Sequence, residues 1–121
     1  MESLEFIFYI IKRRSLFFIE DSNDYFRYVE GYIAGSRNEQ LYIFFKTFRQ
    51  YLIGNNNLRD FENRPLHLLI NFLTVYNYES LNFLNRELIN FLKDDRTQEL
   101  EIVREYSKKY DLSVLINTYV D

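Results

Sequence analysis

The chain has 121 residues, with 18 acidic side chains against 15 basic ones and a formal net charge of −3, a balance that argues against a generic nucleic-acid binder with its basic surplus. Its length fits one domain, residues 1–121, and the absence of cysteine removes a disulfide framework and any thiolate metal site. Three glycines and one proline leave few breakers, which favours long helices over strands and tight turns.

The longest apolar run, Phe6–Ile11, is far too short to span a bilayer. Glu2 and Glu5 stand where a secretory signal carries basic residues, and Lys12-Arg13-Arg14 interrupts the apolar segment. The expected setting is therefore a soluble cytoplasmic protein.

Residues 3–20 read as a first helix, with Leu4, Ile7, Ile11 and Phe18 on one face. A hairpin over 5–19 fits the same letters, but no Gly, Pro, Asn or Asp marks a turn around Lys12–Arg14, which favours the helix. Asp21-Ser22-Asn23-Asp24 offers several caps for a second helix over 23–34, with Tyr25, Phe26, Val29 and Ile33 buried and Gly35 at its end.

The stretch from Gly35 to Gly54 is the most completely specified, and the bundle is expected to pack around it. Ser36 and Glu39 form a capping box. Leu41, Phe45, Phe48 and Leu52 recur at helical spacing, with Phe44 and Tyr51 widening the stripe. Lys46, Arg49 and Gln50 fall on the other side, and Gly54 supplies a left-handed terminus.

Asn55-Asn56-Asn57 opens a loop, and Pro65 starts a fourth helix whose apolar face is Leu66, Leu69, Ile70 and Leu73, with Tyr76 one step further. A fifth helix over 79–92 buries Leu81, Leu84, Leu88, Phe91 and Leu92. Thr97 is expected to cap a sixth helix carrying a thin stripe of Leu100, Val103 and Tyr106, and Asp111 a seventh over 112–120. The reading is a single all-α domain, an irregular bundle of six or seven helices.

Catalysis has little to work with. His67 is the only histidine, and among Leu66, Leu68 and Leu69 it reads first as a half-buried helix residue. With Arg64 it makes an Arg-x-x-His pair that resembles the arginine–histidine pair of helical ribonucleases of the HEPN type, whose motif has more residues between the two. No Gly-rich phosphate loop, nucleophile elbow or metal-spaced set is present. The expectation is no catalytic residues, no metal and no cofactor. Lys12-Arg13-Arg14, followed by Leu16-Phe17-Phe18, is the one basic cluster, and three charges read first as a solvated face.

Between Glu20 and Tyr32 lie the acids Glu20, Asp21, Asp24 and Glu30 against Arg27 alone, interleaved with Tyr25, Tyr28 and Tyr32. Tyrosines supply rigid contact area and carboxylates steer association, so Glu20, Asp21, Asp24, Tyr28, Glu30 and Tyr32 are the candidate partner-binding residues. The plainer alternative is that Tyr25 is core and the acids cap a helix.

The segment Tyr25-Phe26-Arg27-Tyr28-Val29-Glu30-Gly31-Tyr32-Ile33-Ala34-Gly35 resembles the opening of small helical immunity proteins, relatives of the colicin D inhibitor and of contact-dependent inhibition systems. The matching pattern, aromatic-x-x-aromatic followed by Tyr-Ile-x-Gly, covers about a quarter of the chain. The resemblance implies a cytoplasmic, non-catalytic protein that occludes the active site of a basic nuclease toxin, with a protein partner and neither nucleic acid nor membrane. An accessory scaffold protein of a phage, virus or mobile element is the alternative, and a helical nuclease using His67 a third.

Overall fold

The computed structural model describes residues 1–74 and 79–120. Seven α-helices lie among them: α1 (Ser3–Lys12), α2 (Ser22–Ser36), α3 (Glu39–Asn56), α4 (Leu66–Leu73), α5 (Ser80–Lys93), α6 (Glu101–Lys109) and α7 (Leu112–Tyr119). No strand occurs among the described residues, so residues 5–19 do not form a hairpin. The expected Tyr76 lies outside the described residues.

The apolar stripes are buried largely where helical periodicity puts them. On α3, Leu41, Phe44, Phe45, Phe48 and Leu52 are buried while Lys46 and Gln50 face outward. On α5, Leu81, Leu84, Leu88, Phe91 and Leu92 are buried with Ile89 and the small polar residues Ser80 and Asn85. This stripe wraps far enough to pack against α1, α2, α3, α4 and α7, whereas α3 packs against α2, α5 and α6. The hub of the bundle is therefore α5, a correction to the expectation that it would be the Gly35–Gly54 stretch.

Of the four buried polar residues among those described, Ser22, Ser80, Asn85 and Thr97, the first three tie helices together at the hub. The Ser22 backbone N–H donates to Ser80 Oγ at 2.9 Å, and the Ser22 hydroxyl donates to Asn71 Oδ1 at 3.1 Å, joining α2 to α5 and α4. Asn85 Nδ2 donates to the Tyr119 carbonyl at 2.9 Å, which fixes the end of α7. Thr97 does not cap α6: it is buried in a 3-10 turn, and its hydroxyl is shared between the Leu92 and Asp94 carbonyls. Leu100 occupies the N-cap position of α6 without a side-chain bond. Every buried side-chain nitrogen and oxygen among the described residues has a partner, which is what a buried polar group needs if it is not to cost stability.

Helix termini depart most from expectation. α1 stops at Lys12, a 3-10 turn follows over Arg14–Phe17, and Phe18 adopts a left-handed conformation with φ 56°. Phe18 is consequently 89% exposed and is not part of the α1 face. α2 runs through Gly35 to Ser36 and ends on left-handed Arg37, while α3 runs through Gly54 to Asn56 and ends on left-handed Asn57. Ser36 does not cap α3; its hydroxyl bonds back to the Tyr32 carbonyl, and Asn38 caps α3 through the Leu41 N–H.

At all three left-handed residues the following N–H reaches back five residues: Ile19 to Arg14, Asn38 to Ile33 and Leu58 to Ile53. That is the Schellman closure, and its geometry sets the helix end whether or not a glycine occupies it.

Candidate partner-binding site

The acidic tyrosine segment is the entry to α2, and its carboxylates are partly committed to folding. Asp21 caps α2 by accepting the Asp24 N–H at 2.9 Å, and Asp24 Oδ2 accepts the Glu20 N–H at 3.0 Å. Glu20 is exposed. Of the candidate acids, Asp21 and Asp24 hold the turn together and Glu20 presents its charge outward.

Tyr28 and Tyr32 lie one helical turn apart on the face of α2 that meets α1. Tyr32 packs on Phe6 with ring centres 5.0 Å apart, and its hydroxyl is 3.2 Å from Ser3 Oγ. Tyr28 stands edge-on to Phe17 at 5.4 Å, and is 36% exposed. Glu30 does not join them. Two residues from Tyr28 and from Tyr32, it projects from the opposite side of the helix and lines a groove with Phe26, Ile33, Lys46 and Arg49. The six candidates thus divide: Tyr28 and Tyr32 meet α1, Glu20, Asp21 and Asp24 form the turn that opens α2, and Glu30 stands apart.

Leu16 and Phe18, which the composition of the segment did not single out, lie just before this turn in the chain. Phe17 turns inward onto Phe6, Tyr9 and Tyr28, and its two neighbours are thereby turned outward, Leu16 to 66% exposure and Phe18 to 89%. Leu16 and Phe18 thus flank Phe17, which itself packs on Tyr28, and Glu20 follows two residues after Phe18. The signal in the sequence was the apolar run Leu16-Phe17-Phe18, too dense to be buried on one face of a short turn.

The basic cluster is divided in the same way. Arg14 donates to Asn82 Oδ1 at 2.9 Å, and the Lys12 ammonium lies 5.5 Å from the centre of the Tyr119 ring. Two of its three cations are therefore directed at α5 and α7, and Arg13 is exposed. His67 is half-buried and Arg64 exposed. No group of three His, Cys, Asp or Glu side chains is placed to hold a metal among the described residues. Nor is any helix among them long and apolar enough to cross a membrane. No known protein family matches the chain, and no curated protein or solved structure matches it.

Proposed function

We propose that this chain is a non-catalytic interaction protein that binds and neutralises a basic toxin domain, as an immunity protein does, through the edge formed by Leu16, Phe18, Glu20 and Tyr28. The observation that carries this reading is Phe18, a large apolar side chain held almost wholly in solvent by a left-handed backbone, next in sequence to Phe17, which packs on the partly exposed Tyr28. Burial in a partner would remove that apolar area from water, and interface energy concentrates on such apolar and aromatic anchors. Glu20 supplies a rim carboxylate, and the chain's net charge of −3 has the sign that accelerates encounter with a basic partner.

Binding kinetics against a basic toxin domain encoded beside this chain test the proposal. Phe18→Asp should raise the dissociation rate by at least about tenfold, and Glu20→Lys should lower the association rate at low salt. Toxin capture that is insensitive to both substitutions overturns the assignment of the edge. Failure of native protein, isolated from its own cells, to retain any basic protein partner overturns the immunity reading itself.

A further inference from the structure

On the opposite side of α2 from Tyr28, the chain reverses its overall sign. Lys46, Arg49 and Arg59 line one cavity of about 420 Å³, with Glu62 as the single acidic side chain in its wall among the described residues. An adjoining groove of about 230 Å³ is walled by Phe26, Val29, Ile33 and Phe45. Lys46 and Arg49 stand in the walls of both. A cationic depression and an apolar groove thus share two cations, in a protein whose net charge is −3.

Among the described residues none of these cations is in an ion pair: the pairs there are Arg96 with Asp94 and Lys109 with Glu2. The Arg49 guanidinium donates to the backbone carbonyl of Glu62. That acceptor is a neutral carbonyl, so the bond leaves the guanidinium charge uncancelled. α4 begins at Pro65 and Leu66 in the groove wall with no side-chain cap, so its positive end adds to the same field. Among the described residues Glu30 is the only carboxylate in the wall of the apolar groove.

From this arrangement we propose that the groove between α2, α3 and α4 binds a small organic anion with an apolar tail. Arg49, Lys46 and Arg59 receive the phosphate or carboxylate head, and the tail lies along Phe26, Val29, Ile33 and Phe45. The cationic cavity, at about 420 Å³, lies within the range of roughly 300–1,000 Å³ usual for small-molecule sites, and the smaller groove of about 230 Å³ supplies the apolar wall for a short tail. The site shares no residue with the proposed partner edge of Leu16, Phe18, Glu20 and Tyr28.

Calorimetric titration of the intact protein with octyl phosphate and with decanoate, below their micellar concentrations, tests the proposal and distinguishes the two head groups. At least one should bind about tenfold or more tightly than inorganic phosphate, acetate or octanol, because each of these keeps only half of the recognition. Arg49→Gln should weaken that binding by about tenfold. Lys46→Gln, on the exposed face of α3 and outside the helix core, should weaken it less while leaving the circular dichroism and the urea midpoint unchanged. Amide shifts in the nuclear magnetic resonance spectrum should centre on Ile33, Lys46 and Arg49. Binding of inorganic phosphate as tight as that of octyl phosphate would reduce the site to a patch of surface charge and overturn the proposal. So would affinity unchanged by both substitutions, or no binding of either amphiphile.

Discussion

The Tyr25 hydroxyl donates a 2.9 Å hydrogen bond to the carbonyl oxygen of Ile7, and both residues are fully buried. The bond joins α2 to α1 inside the core, where an unpaired hydroxyl would be costly. Tyr25 also stands edge-on to Phe26 at 5.1 Å and to Phe45 at 6.4 Å, so one side chain connects α1, α2 and α3.

Tyr25→Phe should therefore lower stability by about 1 kcal/mol, and Tyr25→Ala by about 3–5 kcal/mol, in urea melts. The pH dependence has a definite sign. Burial pushes the Tyr25 hydroxyl well above its ordinary value of 10.0, so the folded protein keeps the proton that the unfolded chain releases. Its contribution is full below 10.0 and is lost as pH rises beyond it. Tyr25→Phe should flatten the alkaline limb of the stability profile; an unchanged limb would show that this hydroxyl does not govern it.

The glycines distinguish what was legible from what was not. Gly35 and Gly54 read naturally as helix ends, yet both lie inside helices, and a Cβ built on either meets nothing within 4 Å. Gly35→Ala and Gly54→Ala should each raise stability by about 0.5–1 kcal/mol, since alanine restricts the unfolded chain and favours helix. Were these residues left-handed termini, the same substitutions would destabilise, so thermal melts decide between the two placements.

Helix existence and buried faces were legible because they follow from local periodicity: Leu81, Leu84, Leu88, Phe91 and Leu92 needed only the 3.6-residue repeat. Termini were less so: the Schellman closures fall on Arg37 and Asn57, two or three residues past the glycines, and Arg37 takes the left-handed conformation although its Cβ disfavours it, whereas asparagine accepts it readily. The separation of Glu30 from Tyr28 and Tyr32 was implicit in helical spacing and was hidden by treating the segment as a composition. The groove at Arg49 was not legible at all. It needs Glu30 from α2, Lys46 from α3, Arg59 from the following turn and Leu66 from α4 to converge.

Phe48 measures how far α3 depends on the hub. It is fully buried, with ring centres 5.4 Å from Phe91 of α5 and 6.3 Å from Tyr51. Phe48→Ala should cost about 3–5 kcal/mol, a large part of a small domain's stability. Lys46→Ala, exposed on the same helix, should stay within about 0.5 kcal/mol. Equal urea midpoints for the two variants would contradict the assigned face.

The turn after α5 makes an electrostatic prediction. Asp94 accepts from the Arg96 side chain through both carboxylate oxygens at 2.9 Å and from the Arg96 N–H at 2.9 Å, which lowers its pKa to about 2. A depressed carboxyl contributes stability above its ordinary value of 3.8 and loses it as pH falls through about 2. In an NMR titration, Arg96→Ala should move the Asp94 midpoint upward towards 3.8. A midpoint unmoved by that substitution would mean the guanidinium is not its cause.

Phe18 separates stability from binding. Its left-handed backbone costs a residue with a Cβ roughly 1–2 kcal/mol relative to a right-handed one, and at 89% exposure its ring recovers little by packing. Glycine would relieve the strain, while its greater freedom in the unfolded chain offsets part of the gain. Phe18→Gly should therefore raise stability by about 0.5–1 kcal/mol. If the edge is the partner-binding site, the same substitution should weaken toxin binding by about 2 kcal/mol or more, mainly through faster dissociation. A residue retained against folding stability and needed for binding is the expected mark of a functional position. Urea melts and dissociation rates on the one variant test both halves. A variant that is stabilised and still binds with unchanged rates would remove Phe18 from the interface, while one that is destabilised would contradict its exposed, left-handed placement.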